Sequence, residues 1–341
     1  MKPRRDGGVA LMLALLVLVI LVILIAQMSV SSLHNRTVAE NHLADLQNTY
    51  GTRAGYHQAL LFLQADLDKA PEVDSLRERW AAPIEFDLGI ARVRVTIADS
   101  ERFINLSQLV NDKGEANPTV VMQLRRLVRA LRYPPDTADR IIDYIDGDSR
   151  GEFESLARNE RLFNLEELLR IEGLLPEIVY GGMISGEERR GLKDFVTLWP
   201  KESSEAAGRV NLNTAPTELF QSLSDQMTIG LAEAIVAWRS RGPDGRPREF
   251  HKVDELKQVG GIAEALFTEI SGQLTVKSAT FEIRARSVVG NVEKSWVYAV
   301  KRDVGQATPP GGPQKKAGHP LIGAQALNDF LSVKPPGEEK P

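Results

Sequence analysis

From Val9 to Ala26 the chain carries no polar side chain, and a short basic leader with Lys2, Arg4 and Arg5 precedes that run. Such a stretch is long enough to cross a hydrocarbon core as a helix. Positive charge on its N-terminal side keeps that end cytoplasmic and sends the rest of the chain outward. Beyond the run the period stays helical. Leu43, Leu46, Tyr50, Ala54, Leu60, Leu61 and Leu67 recur mostly at steps of three and four, with polar residues between them. Pro71 and Pro83 then interrupt. The spacing predicts one helix from about Val9 to about Lys69, apolar all round at first and amphipathic later. That later half needs a surface to pack on.

Two patches far apart in sequence supply the period of two that marks strands. Ile84–Gly89 and Ile90–Ile97 alternate, as do Phe281–Val289 and Glu293–Val300, with Trp296, Tyr298 and Val300 on one face and Gly290-Asn291 between the last two runs. Gly-Asn between alternating runs is a hairpin signal. A lone hairpin is marginal in water. One antiparallel sheet built from both patches and laid on the long helix solves both problems. The fold class is therefore α+β, a long N-terminal helix on an antiparallel sheet, with a large all-α insertion between the two halves of the sheet.

The insertion repeats itself. Ile104-Asn105-Leu106-Ser107 is matched by Val210-Asn211-Leu212-Asn213, Ala138–Tyr144 by Ala232–Trp238, and Leu165–Leu174 by Val253–Ile262, in the same order with loops of different length. Two similar helical modules in tandem follow. The domain boundaries read 1–8 for the leader, 9–70 for the helix with 9–26 spanning the membrane, 71–99 and 274–302 for the sheet, and 100–273 for the insertion. Residues 303–341, rich in proline and glycine, read as a disordered tail.

Composition narrows the chemistry. The chain has 341 residues, 43% apolar and 26% charged, ordinary values for a folded body. A net charge of −4 gives no global pull toward nucleic acid. The absence of cysteine excludes disulfides, thiolate metal sites and cysteine nucleophiles. The five histidines fall in no ligand spacing, and neither a G-x-S-x-G elbow nor a phosphate-binding glycine loop occurs. No catalytic residue is nominated and no enzyme is expected.

Three motifs remain. Leu256-x-x-Val259-x-Gly261-Ile262-Ala263 reads as a helix-hairpin-helix turn, echoed at Gly173-Leu174-Leu175-Pro176-Glu177. DNA-binding hairpins expose N–H groups to phosphates. Here Ala263 replaces the second glycine and Glu264 follows, so the turn reads as scaffold and no nucleic-acid partner is expected. The alternative is a DNA-binding helix-hairpin-helix component of a competence or type IV pilus. The run Leu124–Arg132 holds four arginines, but Val121, Leu124, Leu127, Val128 and Leu131 form one apolar face, which makes the arginines the solvated side of a helix. Asp143-Tyr144-Ile145-Asp146-Gly147-Asp148, followed by Glu152 and Glu154, is the densest acidic cluster. Calcium takes six to eight oxygens from such closely spaced carboxylates and carbonyls, whereas the competing reading is a solvated acidic loop.

The apolar N-terminal run admits three readings: a cleaved secretory signal, a plain anchor, or a type IV pilin-like signal cut on its cytoplasmic side after glycine, between Gly8 and Val9 or between Gly7 and Gly8. The leader ending Gly8-Val9-Ala10-Leu11, the helix-then-sheet order, the insertion with Val210-Asn211-Leu212-Asn213-Thr214-Ala215, and the Gly173 and Gly261 hairpins together resemble the GspK family of minor pseudopilins of type II secretion systems. The resemblance spans residues 4–302.

That resemblance implies a place at the tip of the pseudopilus, nucleating or capping its assembly for protein export. The implied partners are the minor pseudopilins I and J, the major pseudopilin, the prepilin peptidase and the inner-membrane assembly platform. It also implies a single pass through the bacterial inner membrane with a periplasmic body, a methylated new N-terminus, and calcium in the insertion. The matching positions are Asp143, Asp146 and Asp148, with Asn159 a further candidate. Major pilins carry glutamate at the fifth mature position, and here that position is Leu13.

Overall fold

The computed structural model describes residues 6–69, 72–148, 150–154, 157–184, 186–201, 208–241, 246–302 and 324–326. The expected helix is one unbroken element, α1, Asp6–Lys69. Strands β1 (Ile84–Leu88) and β2 (Ala91–Asp99) follow as a hairpin, closed at Gly89, whose φ of 62° suits glycine.

The chain then leaves the sheet. It builds β3 (Ile104–Asn105), α2 (Pro118–Ala130), α3 (Asp136–Ile145), α4 (Pro176–Tyr180), β4 (Gly181–Ile184), β5 (Glu187–Arg190) and β6 (Val196–Thr197). It continues through β7 (Val210–Asn211), α5 (Thr217–Gln221), α6 (Ile229–Ser240), α7 (Glu264–Ile270) and β8 (Leu274–Thr275). It returns as β9 (Thr280–Val289) and β10 (Val292–Lys301), joined by Gly290-Asn291 as the sequence predicts. β2 pairs antiparallel with β9, Val95 opposite Ala285, so the two halves of the sheet close on each other. A short strand β11 (Ala324–Ala326) lies against β10. The rest of the tail, and leader residues 1–5, fall outside the described residues.

The helix meets the sheet through a face other than the leucine-rich one. Ala44, Asn48, Gly51, Thr52, Gly55, Ala59 and Leu63 are the buried positions of α1. A Cβ at Gly55 would stand 2.8 Å from Val95 Cγ2, 3.1 Å from Val93 Cγ1 and 3.2 Å from the Ala285 methyl, so only glycine admits this approach. Asn48 fastens the contact, donating to Val292 O at 2.8 Å and accepting from Ser287 Oγ at 2.8 Å. Higher up, Tyr56 stacks on Tyr298 at 4.3 Å, and Trp80 meets the Phe281 ring edge-on at 5.2 Å.

The insertion is a duplicated module, as its sequence repeat predicts. In the first copy β3 pairs in parallel with β6, and in the second β7 pairs in parallel with β8. Asn105 Oδ1 accepts from Ser107 N at 2.9 Å, and Asn211 Oδ1 from Asn213 N at 2.8 Å. Each copy has a six-residue 3-10 turn, Leu165–Arg170 or Val253–Gln258, followed by a left-handed glycine, Gly173 (φ 87°) or Gly261 (φ 91°).

A buried polar junction fastens the insertion to the helix-and-sheet body. Arg302 pairs with Asp74 and, at 3.4 Å, with Asp66, and donates to Ser278 O at 3.2 Å. Asp74 Oδ2 accepts from Ser278 N at 2.7 Å. Asn211 Nδ2 reaches Asp74 O, Asp99 Oδ2 and Ser278 Oγ, and Thr214 Oγ1 donates to Asp99 Oδ2 at 2.5 Å. The second copy's Val210-Asn211-Leu212-Asn213-Thr214 motif is therefore the joint itself. This polar network, in which the Arg302 Nε alone of the named groups lacks a partner, holds one arrangement of the two bodies, because any shift would leave further buried donors and charges unpaired.

Candidate functional site

Among the described residues, α1 is the helix long and apolar enough to cross a membrane. From Leu11 through Leu43 its residues lie exposed. Further along, four of the large apolar residues whose spacing predicts a packing face turn away from the sheet: Leu43 is 55% exposed, Leu46 52%, Tyr50 57% and Leu61 64%, whereas Leu60 of the same set packs on the sheet core. Most of the apolar face that periodicity locates is therefore not the one that packs on the sheet. At 3.6 residues per turn these four side chains form one stripe, opposite the small-residue face. Between the membrane-length run and Leu43 this side of the helix is polar, through Ser29, Ser32 and Arg36, so the stripe is a separate exposed apolar patch beside the folded body. An exposed apolar patch of this kind marks an interaction site. Above Leu61 it opens into a groove of about 490 Å³ lined by Gln58, Phe62, Ala65, Asp66, Lys69, Glu78 and Arg79.

The acidic loop has a definite geometry. One carboxylate oxygen from each of Asp146, Asp148 and Glu154 lies within 4.8 Å of the others. Asp146 Oδ1 and Glu154 Oε1 are buried and hydrogen-bonded to nothing. Burial first, then the neighbouring charges of Asp148, Glu154 and Asp143, pushes the Asp146 carboxyl up to about 6. Glu154 is raised by burial and by Asp143 and Asp148. Crowded carboxylates with orphaned buried oxygens fit a hard divalent cation, which takes oxygen ligands and neutralises their repulsion.

Asp143 acts differently. Its Oδ2 accepts from Phe153 N at 2.9 Å and folds the loop back, and Gly151 packs so close that a Cβ there would stand 2.0 Å from that oxygen. Asn159, in the left-handed region at φ 56°, donates its main-chain N–H to Tyr144 O at 3.0 Å, which seats its backbone at the base of the loop. Glu154 is the member of the cluster that the D-x-x-D-x-D spacing leaves out. The fold returns it to the site only through the turn that Asp143 holds. Gly8 and Val9 lie within the start of α1.

At the hairpins the described basic side chains Lys257 and Arg140 are engaged within the fold. Lys257 is held by Glu264 at 2.9 Å at the second hairpin, and Gly173 packs on the Arg140 guanidinium at the first. The arginines of α2 are not simply solvated. Arg126 and Arg129 both bind Asp225, and Arg125 binds Asp139. Arg126 is largely buried as a result.

Comparison with solved structures places this architecture. Its fold is shared with a type 2 secretion system protein. The match is a chain from the crystal structure of the GspK–GspI–GspJ complex of enterotoxigenic Escherichia coli, with a TM-score of 0.60 and 19% identity. It covers 84% of this chain and 98% of that one. The family model described as a helix-hairpin-helix motif matches residues 205–275, the second copy of the repeat. A search of curated proteins finds no match. The fold class expected from the sequence, a pilin-like long helix on an antiparallel sheet with a helical insertion, is the fold observed, and the complex containing its neighbour includes the protein whose family the sequence resembles.

Proposed function

We propose that this chain is a minor pseudopilin of the GspK type, a structural subunit at the tip of a type II secretion pseudopilus. The observation that carries this reading is the two-faced helix α1. Its small-residue face is spent on its own sheet, while Leu43, Leu46, Tyr50 and Leu61 stand exposed on the other side, above the membrane-length segment. A subunit that only anchored itself would need no apolar stripe above the membrane. A subunit that packs against neighbouring helices needs one. Burying what remains exposed of Leu43, Leu46, Tyr50 and Leu61, between 52% and 64% of each, supplies on the order of 3–7 kcal/mol toward that packing, at about 1.5–3 kcal/mol per fully buried large apolar side chain.

In this reading a prepilin peptidase cuts between Gly8 and Val9, the new amine is methylated, and the apolar helix exchanges lipid for the helices of the minor pseudopilins I and J. Leu13 at the fifth mature position suits a subunit with no predecessor, because a carboxylate there would be a buried charge without the amine it neutralises. The insertion stands above the sheet and caps the filament. Calcium would be held by Asp146, Asp148 and Glu154, with Asp143 shaping the loop, and would tie the loop to the end of α3. The helix-hairpin-helix match supports a scaffold, since Glu264 occupies Lys257 where a DNA-binding hairpin keeps its cations free.

The test has two readouts on the full chain. Mass spectrometry of the mature protein is expected to find a methylated Val9. A Leu46→Lys/Tyr50→Lys variant is expected to keep its melting temperature and to lose co-purification with the minor pseudopilins I and J. An unprocessed N-terminus in a secreting cell, or intact co-purification by that variant, would refute the proposal.

A further inference from the structure

At the far end of the insertion, the C-terminal end of α2 faces the N-terminal end of α6 across a groove of about 340 Å³. Arg126, Arg129 and Arg132 line one wall, and Gln221, Ser224, Thr228 and Ile229 the other. We propose that this groove is a docking site for a short acidic polypeptide segment, recognised through its side-chain carboxylates. The site is independent of the filament assembly proposed above.

Four observations support it. The first is charge: three guanidiniums line the groove, with Asp225 in its lining and Glu187 4.0 Å from Arg132, which leaves an excess of positive charge. The second is that the groove already holds a carboxylate. Asp225 Oδ2 accepts from Arg126 at 2.9 Å and Oδ1 accepts from Arg129 at 2.8 Å, one oxygen to each guanidinium. These bonds hold the Asp225 carboxyl below its ordinary range. Planar guanidiniums match carboxylates in this manner, and Asp225 shows the mode an incoming carboxylate would adopt.

The third is unused binding capacity. Arg129 and Arg132 are 72% and 76% exposed, and the nearest acid to Arg132 is Glu187 at 4.0 Å. At the opposite wall, α6 begins with Thr228 capping Leu231 N. Nothing lies within 4 Å of a Cβ position at Gly230, so backbone can approach there. A helix N-terminus adds favourable potential for an anion. The fourth is an apolar contact, Ile229, 59% exposed at the rim.

A carboxylate segment fits better than a polyphosphate. Asp225 and Glu187 stand beside the arginines. An extended phosphate backbone would run over these acids, whereas two or three acidic side chains with one apolar neighbour fill the groove without crossing them. Asp225 then serves as an internal competitor that occupies both arginines until a ligand displaces it.

The experiment is fluorescence anisotropy on the full chain in detergent at low salt. The probes are a labelled tetraglutamate peptide, its tetraglutamine counterpart, and a labelled single-stranded oligonucleotide. The tetraglutamate peptide is expected to bind, and tetraglutamine not to. Arg129→Glu/Arg132→Glu is expected to weaken binding at least tenfold with an unchanged melting temperature, both side chains being exposed. Asp225→Asn is expected to strengthen binding severalfold by releasing both arginines. Arg132→Glu alone provides the reading should Asp225→Asn melt early, and is expected to weaken binding about threefold or more. Binding insensitive to these arginines, weakened by Asp225→Asn in a folded protein, or stronger for the oligonucleotide than for the peptide would overturn the proposal.

Discussion

Replacing Arg302 by Met removes the cation of the buried junction while keeping most of its volume. Arg302 is 1% exposed and Asp74 is fully buried, so solvent cannot take over the role of the guanidinium. Burial already pushes the Asp74 carboxyl up from its ordinary 3.8, against the pull of Arg302 and the Ser278 N–H. Without Arg302 the carboxyl takes a proton rather than remain an unpaired buried charge. At pH 7 that costs about 1.4 kcal/mol per pH unit above an ordinary carboxylate pKa near 4, or about 4 kcal/mol. This agrees with the roughly 3–5 kcal/mol expected for breaking a buried pair from one side. At pH 5 the same argument leaves about 1.5 kcal/mol. Chemical denaturation of the full chain in detergent at both pH values measures the difference, and Arg302→Met/Asp74→Asn, which removes both charges, is expected to recover much of the pH 7 loss. A penalty that stays the same at pH 5 and pH 7, or a double variant no better than the single one, would refute the reasoning.

Three other outcomes are expected. Gly55→Val forces side-chain atoms into the space held by Val95, Val93 and Ala285 and is expected to lower stability by about 1–3 kcal/mol or more, read as a drop in melting temperature, because short, stiff side chains of the sheet already fill that space. Glu78 is pushed up to about 8 by burial, with Asp66 and Asp74 adding to the rise, and Asp66 up to about 6 by burial and Asp74. Both raised values mean that the folded protein holds protons the unfolded chain releases. Their contribution is complete below about pH 4 and is lost as pH climbs through 6 and then 8. The melting temperature is expected to fall across that window, and Glu78→Gln to flatten the fall near pH 8. Calcium at a hundred times its dissociation constant is expected to stabilise the protein by about 2.7 kcal/mol, with chelator reversing it and Asp146→Ala abolishing it, as followed by thermal melts.

The large elements were legible because each is written in a local period. The helix from the membrane run to Lys69, the Gly290-Asn291 hairpin and the doubled module each follow from residues near one another in sequence. The candidate site was legible only in part. Asp146 and Asp148 were visible as a pair, but Glu154 joins them only because Asp143 bends the intervening loop back through Phe153 N. Arg126 reads as solvated, as Arg129 is, because its counterion, Asp225, lies in the other copy of the repeat.

By itself, then, the sequence determined that one long helix, a split sheet and a duplicated helical insertion would form, because periodicity and turn chemistry act over a few residues. It did not determine which side of α1 meets the sheet. Hydrophobicity alone favours Leu43, Leu46, Tyr50 and Leu61, yet the sheet took Ala44, Gly51, Gly55 and Ala59. Side-chain size decides how closely a helix can approach a sheet, and that distance exists only once both are in place. The tertiary structure therefore chose the small face for the fold, with Leu63 beside it, and left Leu43, Leu46, Tyr50 and Leu61 exposed.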